Sequence, residues 1–281
     1  MSKNKTNIIV RVLTIHIKNN KDLYKSFNFS RKQQKYKLEE YLIDILYVLK
    51  TGISWRDLRS HIHWNSVYKV YIKLNSHGIF KISYITLLNR YFKKGYNNKL
   101  KYTLTDTTFI PNKKGKDSIG YNKFYNRKNG TKISLITDTK GMPMNIKYFN
   151  GNINDSKILL IHLKTMNLIN LDDKYPKNRY FMADAGYDSK NIRHTLLDMN
   201  YNPLIVQNKR NIKDPDKIIK FNKREEIIYK KRLVIERIIN RGIVYLYLST
   251  FYIYLYFNEI VSIITIFNDL ENLAYLHILL D

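Results

Sequence analysis

Three acidic side chains stand where an acid is either out of place or well aimed. Asp106 lies inside TLTDTTF, a run of β-branched and aromatic residues with the composition of a strand. Acids are depleted from strands, and burying a carboxylate without a partner is costly. Asp184 ends the apolar run of YFMADAGYDS, just before Gly186 opens a turn; ligands gather beyond the carboxyl ends of strands in open sheets. Glu236 sits in YKKRLVIERIINR among Val234, Ile235 and Ile238, in a helical pattern. Three carboxylates converging from two strands and a helix repel one another. Divalent cations relieve that repulsion, and an all-oxygen ligand set suits Mg²⁺. Two such ions about 3.5–4 Å apart can activate a hydroxyl and stabilise a leaving oxygen. Position alone also admits plainer roles. Asp106 can be a turn or edge-strand acid, and Glu236 the exposed partner of Arg232 one helical turn away. The chain has 23 acids, from which many triples can be drawn.

The elements that must position these acids fall into two regions. The first, residues 1–95, reads as helical. KLEEYLIDILYVLK (Lys37 to Lys50) puts Leu38, Tyr41, Leu42, Ile45, Leu46 and Leu49 on one face, the periodicity of an amphipathic helix. Gly52 can end that helix and Ser54 can cap the next turn. Trp64 to Asn75 and Tyr84 to Phe92 read as further helices. Short helices joined by tight turns, with Lys and Arg outward, fit a helix-turn-helix DNA-binding unit and an ordinary helical bundle equally well. In the second region, residues 96–281, strands alternate with helices. Strands are expected over Lys101 to Ile110, Thr131 to Thr137, Met142 to Phe149, Tyr180 to Asp184 and Pro203 to Gln207. Helices are expected over Asn154 to Met166, capped by Asn154, and Lys190 to Met199. A basic stretch, Asn208 to Lys231, precedes further helix. Three meandering strands, then helix, strand, helix, strand, give an α/β class with a mixed sheet flanked by helices. That is the ribonuclease-H-like layout, here preceded by a small all-helical domain.

Charge narrows the partners. The 281 residues hold 49 Lys and Arg against 23 Asp and Glu, a formal net charge of +26. A polyanionic partner relieves the self-repulsion, and nucleic acid binding gains from counterion release. The Lys, Asn, Ile and Tyr content also matches A/T-rich coding, a bland source for part of the excess. Hydrophobic residues at 44% allow a sizeable core and exclude wholesale disorder. With no cysteine there is neither a disulfide nor a thiolate zinc site, which fits an intracellular protein. The basic start has only a short apolar run, broken by Arg11, so no signal peptide is expected. Ile243 to Phe257 is uncharged for 15 residues, short of the roughly 20 that a spanning helix needs. The longer apolar segment Ile243 to Phe267, split by Asn258 and Glu259, reads as core, with no membrane partner. Lys113, Lys114, Lys116, Arg127 and Lys128 surround Tyr121, Phe124 and Tyr125. Cations interleaved with aromatics suit a DNA groove or an unstacked base; a solvated hairpin is the other reading.

Several stretches together resemble the DDE transposases of the insertion-sequence-five group, within the insertion-sequence-four superfamily. They are TDTTFI around Asp106, ISLITDTKGMPM (Ile133 to Met144), GNINDSKIL (Gly151 to Leu159), ADAGYDS (Ala183 to Ser189) and YKKRLVIERIINR (Tyr229 to Arg241). In the last, Tyr229, Arg232 and Glu236 keep the family's Tyr, two residues, Arg, three residues, Glu. YVLKTGISWRDL (Tyr47 to Leu58) and WNSVYKVYIKLNSHGIF (Trp64 to Phe80) resemble the family's amino-terminal domain.

The resemblance implies that Asp106, Asp184 and Glu236 are the catalytic residues and ligate two Mg²⁺ ions, for which Mn²⁺ can substitute. It implies that Tyr229 and Arg232 contact DNA phosphate near the cut, with Arg237 and Arg241 as further basic contacts. Asp155 and Asp188 read as supporting or capping residues, and His162 and His194 as packing or surface histidines. The family's basic residue seven positions after the Glu is Ile243 here, a departure that Arg237 and Arg241 can offset. The expected activity is cut-and-paste transposition. The first region would bind terminal inverted repeats, followed by metal-dependent strand cleavage and strand transfer, in a homodimer or larger assembly on DNA. The alternatives are a stand-alone nuclease of the same fold and a catalytically inactive, transposase-derived DNA-binding protein.

Overall fold

The structure is a computed structural model; it describes residues 3–27, 35–51, 53–93, 101–111, 118–125, 127–140, 143–164, 166, 178–209, 220–236 and 239. Two compact units emerge, one containing Met1–Leu87 and the other Leu88–Ile243.

The first unit is helical. Helix α1 (Lys3–Asn19) is followed by α2 (Lys21–Ser26), α3 (Leu38–Thr51), a 3-10 turn (Trp55–Asp57), α4 (Trp64–Ser76) and α5 (Ile79–Lys93). The basic amino terminus is thus a helix. Ile9, Val10, Val12, Leu13 and Ile17 are buried while Arg11 points outward, so the charge that breaks the apolar run lies on the wet face. In α3 the expected stripe of Leu38, Leu42, Ile45, Leu46 and Leu49 is buried, and Tyr41 of the same stripe is half-buried. Ser54 caps the 3-10 turn by accepting from the Arg56 amide. Trp55 packs its ring against Tyr68 and Tyr71. Gly78 at φ 64° separates α4 from α5; that left-handed conformation suits glycine and lets α5 begin five residues before its apolar pattern suggested.

The second unit is built on a six-stranded sheet. Strands β1 (Tyr102–Pro111), β2 (Gly120–Asn122), β3 (Lys128–Asp138) and β4 (Pro143–Asn150) precede α6 (Asp155–Leu163). Then come β5 (Arg179–Ala183), a 3-10 turn (Ala185–Tyr187), α7 (Lys190–Asp198), β6 (Tyr201–Ile205) and α8 (Lys223–Tyr229). Strand β3 pairs antiparallel with β1, β2 and β4. Strand β1 pairs parallel with β5, and β5 parallel with β6. The sheet is therefore mixed, in the order β4–β3–β1–β5–β6 with β2 beside the start of β3. That order carries the ribonuclease-H-like assignment. Leu104, Ile136, Phe181, Met182 and Ala183 are buried in its centre.

Several bounds shift: β3 starts at Lys128 rather than Thr131, and α6 ends at Leu163 rather than Met166. Strand β6 starts two residues early and runs through Pro203, which pairs with Phe181; a strand at the sheet edge tolerates proline. Inside the basic stretch, α8 is a short helix whose Asn222 and Glu225 form a reciprocal capping box. No described helix is long and apolar enough to cross a membrane. The segment Ile243 to Phe267, read above as core, lies outside the described residues.

Candidate active site at the β1–β5 junction

Parallel pairing sets two of the acids level. The last registered pair of β1 and β5 is Leu104 with Met182. Asp106 lies two residues beyond the first and Asp184 two beyond the second, so both follow the same pleat phase. Neighbouring strands run about 4.8 Å apart, and the Asp184 charge is felt at the Asp106 carboxyl. Leu104 beneath Asp106 is fully buried, so the β1 acid stands at the rim of the core rather than at an edge. Asp184 turns its side chain back onto the Gly186 amide at 2.8 Å, capping the 3-10 turn.

Residues 229–236 lie across the same face of β1. Tyr102 and Asp106 share a pleat face, and each meets this segment. Lys231 Nζ sits 4.1 Å from the centre of the Tyr102 ring, and Arg232 Nη1 lies 3.7 Å from Asp106 Oδ2. Arg232 Nη2 also donates to Glu236 Oε1 at 3.1 Å, within one helical turn. One guanidinium thus faces two of the three acids, and the expected Arg232–Glu236 pair is present as part of a larger arrangement. The Tyr229 hydroxyl donates to the Ala183 carbonyl at 3.1 Å, tying the end of α8 to the residue before Asp184. Buried Ile228 and Ile235 anchor the segment.

Sequence reasoning missed Thr107 and Tyr187. The Thr107 amide donates to Asp106 Oδ1 at 2.8 Å. Its hydroxyl accepts from the buried Tyr187 hydroxyl at 2.7 Å. Tyr187 belongs to the turn that Asp184 caps, so this link joins the Asp184 turn to the Asp106 strand. The tyrosine of ADAGYDS was the available signal, but its partner stands 80 positions away in the chain. Asp188 braces the same loop, pairing with Arg193 and accepting from the Asn208 amide. Asp155 begins α6 and pairs with Lys132 at 2.7 Å. Both act as supports, as expected. His162 is buried at 2.8 Å from Ser134 Oγ, whereas His194 is exposed.

Charge at the junction is held under tension. Burial pushes the Asp106 carboxyl up to about 6; the Thr107 amide and Arg232 oppose that push, while the Asp184 and Glu236 charges add to it. The Tyr187 and Tyr229 hydroxyls are also pushed up, mainly by burial. A donor set of mutually repelling carboxylate oxygens, one driven towards protonation, suits a hard divalent cation. Among the described residues no three acids or histidines close to metal-holding distance. Arg232 lies between Asp106 and Glu236, so a cation held by both would need the guanidinium to move aside. Of the other basic candidates, Arg127 and Lys128 are exposed at the β2–β3 turn. Lys113, Lys114, Lys116, Arg237 and Arg241 lie outside the described residues, as does Ile243.

The sequence signature described as a transposase DDE domain matches residues 98–247, more than half of the chain. No curated protein matches it. Among solved structures, one similar to this chain is the piggyBac transposase synaptic complex with hairpin DNA, at TM-score 0.46 and 11% identity, covering 86% of this chain and 70% of that one. Another is the Mos1 transposase paired-end complex with left transposon end, at TM-score 0.27 and 12% identity, covering 79% and 85%. A third is the Mos1 mariner paired-end complex with Mn, at TM-score 0.29 and 11% identity, covering 85% and 96%.

Proposed function

We propose that this chain, which belongs to the transposase DDE domain family, is a cut-and-paste transposase of the insertion-sequence-five group acting through Asp106, Asp184 and Glu236. The observation that supports this most directly is that Asp106 and Asp184 each stand two residues past the last registered pair of the parallel strands β1 and β5, with Glu236 brought to the same charge cluster through Arg232. The three carboxylates would hold two Mg²⁺ ions, or Mn²⁺ in their place. When bound, such ions supply an activated hydroxyl and stabilise the departing oxygen of a phosphodiester.

The chain's own residues do the rest. Asp106 presents its oxygens from β1, a strand paired on both sides, and Asp184 from the turn that directly follows β5. The Thr107 amide holds the Asp106 carboxylate, and Tyr187 ties Thr107 to the turn after Asp184. Arg232, released from the acids, meets the phosphate as a forked donor, and Tyr229 offers its hydroxyl beside it. The basic groups Arg127, Lys128, Lys113, Lys114, Lys116, Arg237 and Arg241 draw in the DNA backbone. The helical residues 1–95 would bind the terminal inverted repeats, and two or more copies would pair the ends. The protein then works inside the cell, wherever its DNA is.

The test is cleavage of DNA carrying the element's ends by the full chain in Mg²⁺. Asp106→Asn should bind those ends and cut nothing; Mg²⁺-dependent cutting by that variant refutes the assignment. Joining of a pre-cut end to plasmid DNA separates a transposase from a nuclease that only hydrolyses.

A further inference from the structure

The turn between β2 and β3 exposes more aromatic surface than a solvated hairpin needs. Phe124 is 87% exposed, Tyr121 54% and Tyr125 50%. Large apolar rings left in water forgo the stabilisation of burial, and a cluster of them on a surface marks a contact site. Slack in the backbone does not account for the exposure. Asn122 is buried, with its amide donating to the Gly151 carbonyl and its side-chain oxygen accepting from the Phe124 amide, both at 3.0 Å. Tyr125 leans on Phe109 of β1, ring centres 4.7 Å apart. Gly130 lies so close to Phe109 and the Ile110 carbonyl that any side chain there would collide with both. The turn is therefore clamped to β1 with its rings turned outward.

The surroundings of the rings select a partner. Lys123, Arg127 and Lys128 alternate with them, and Lys123 Nζ lies 5.0 Å from the Phe124 ring centre. No acid occurs between Ser118 and Ile133. Rings that stack, beside cations that neutralise phosphate, are the parts of a site for single-stranded nucleic acid. The base of this hairpin also has a fixed offset from Asp106. Gly130 pairs with both Gly120 and Pro111. Pro111 stands five residues beyond Asp106 on β1, about 17 Å at the rise of an antiparallel strand. That is about five stacked base steps of DNA.

Resting on the DNA-processing reading above, we propose that Phe124, with Tyr121 and Tyr125, forms a stacking platform for unpaired bases of the DNA whose backbone Asp106 and its companions cut. The platform holds a melted segment at a set distance from the cut and carries no sequence code, because every base has a stackable face.

Fluorescently labelled oligothymidylate and a duplex of equal length, titrated into the full chain, test this. Phe124→Ala should weaken oligothymidylate binding about tenfold while duplex binding changes little and the melting temperature holds. Phe124→Trp should bind as the native chain does, and Phe124→Leu should bind as poorly as the alanine variant. Unchanged oligothymidylate affinity in Phe124→Ala overturns the platform, as does a leucine that works as well as phenylalanine. If cutting by the native chain persists, the transposase reading survives that loss. A native chain that neither binds nor cuts DNA removes both.

Discussion

Asp106 and His162 are both titratable and both withdrawn from water in the sheet unit, yet their surroundings differ in kind. At the β1–β5 junction Asp106 keeps a partly open face, a cation beside it, two like charges in reach and a hydrogen bond from the amide of Thr107, whose own hydroxyl is held by Tyr187. Where α6 covers β3, His162 has no exposure and meets Ser134. Burial pushes Asp106 up to about 6 and His162 down to about 3. Both shifts favour the neutral form. At the junction the Thr107 amide and Arg232 favour the charged form as well, whereas the Lys147 charge adds to the downward push on His162. A buried group held against its own preference marks chemistry; one left to its preference marks packing.

The widest separation between the two regions should come from paired substitutions. Asp106→Asn should lower strand cleavage by roughly 10³-fold or more, while His162→Ala leaves cleavage by the folded fraction unchanged. Stability should move the other way. His162→Ala leaves Ser134 without that contact and should cost about 1–3 kcal/mol. Asp106→Asn should raise stability at neutral pH, by about 1–2 kcal/mol in the presence of a chelator. The sign follows from the raised pKa. Ionising Asp106 is harder in the folded chain, so its charge destabilises the fold increasingly from about pH 4 to about pH 6 and by a constant amount above. Melting curves should show the Asn advantage at pH 8 and its disappearance near pH 4. A cleavage-competent Asp106→Asn, or a cleavage-dead His162→Ala with normal melting, breaks the contrast.

Tyr187→Phe gives the next largest effect. It removes only the hydroxyl that reaches Thr107, two steps from the carboxylate. Groups that orient metal-binding residues are worth about 10–100-fold in activity or metal affinity. The expected outcome is a loss of that size in cleavage, with a matching rise in the Mg²⁺ concentration for half-maximal rate and a melting change of no more than about 1 kcal/mol. A fall in stability with no change in Mg²⁺ requirement would reduce Tyr187 to packing.

Acid sensitivity tests the other side of the contrast. The folded chain holds His162 neutral down to about pH 3, whereas an unfolded histidine takes up a proton near pH 6.5. Unfolding therefore binds an extra proton between those values, and stability falls with falling pH by up to about 1.4 kcal/mol per unit. His162→Gln should flatten that part of the pH profile, measured by urea unfolding from pH 7 to pH 4. An unchanged slope would mean that His162 is already protonated in the fold.

The sequence made the junction partly legible. Asp106 announced itself by interrupting a strand pattern and Asp184 by ending one, and each stands two residues past the last registered pair of β1 and β5. Glu236 was legible through the spacing of Tyr229 and Arg232. The double engagement of Arg232 was not, because its contact with Asp106 joins residues that no periodicity relates. Tyr187 and Thr107 escaped for the same reason. Strand β2 has only three residues, too few for an alternation to register. Strand β6 was displaced by reading Pro203 as a boundary, since the edge position that tolerates it is a property of the assembled sheet.

Helix α6 touches both regions and so offers the finest test. It carries His162 onto β3, and it also packs against the turn Ala185–Tyr187. Its first turn is held by Asn154, whose side-chain oxygen accepts from the Ser156 amide at 2.9 Å. Removing such a cap costs about 1 kcal/mol, so Asn154→Ala should lower stability by that amount. If the junction owes its geometry to its own network of Thr107, Tyr187 and Arg232, cleavage at saturating Mg²⁺ should fall less than about twofold despite the looser helix. A larger loss, with a raised Mg²⁺ requirement like that of Tyr187→Phe, would show that α6 seats the turn. The packing side of the sheet would then set the aim of the reactive side, and the two regions could no longer be treated as independent.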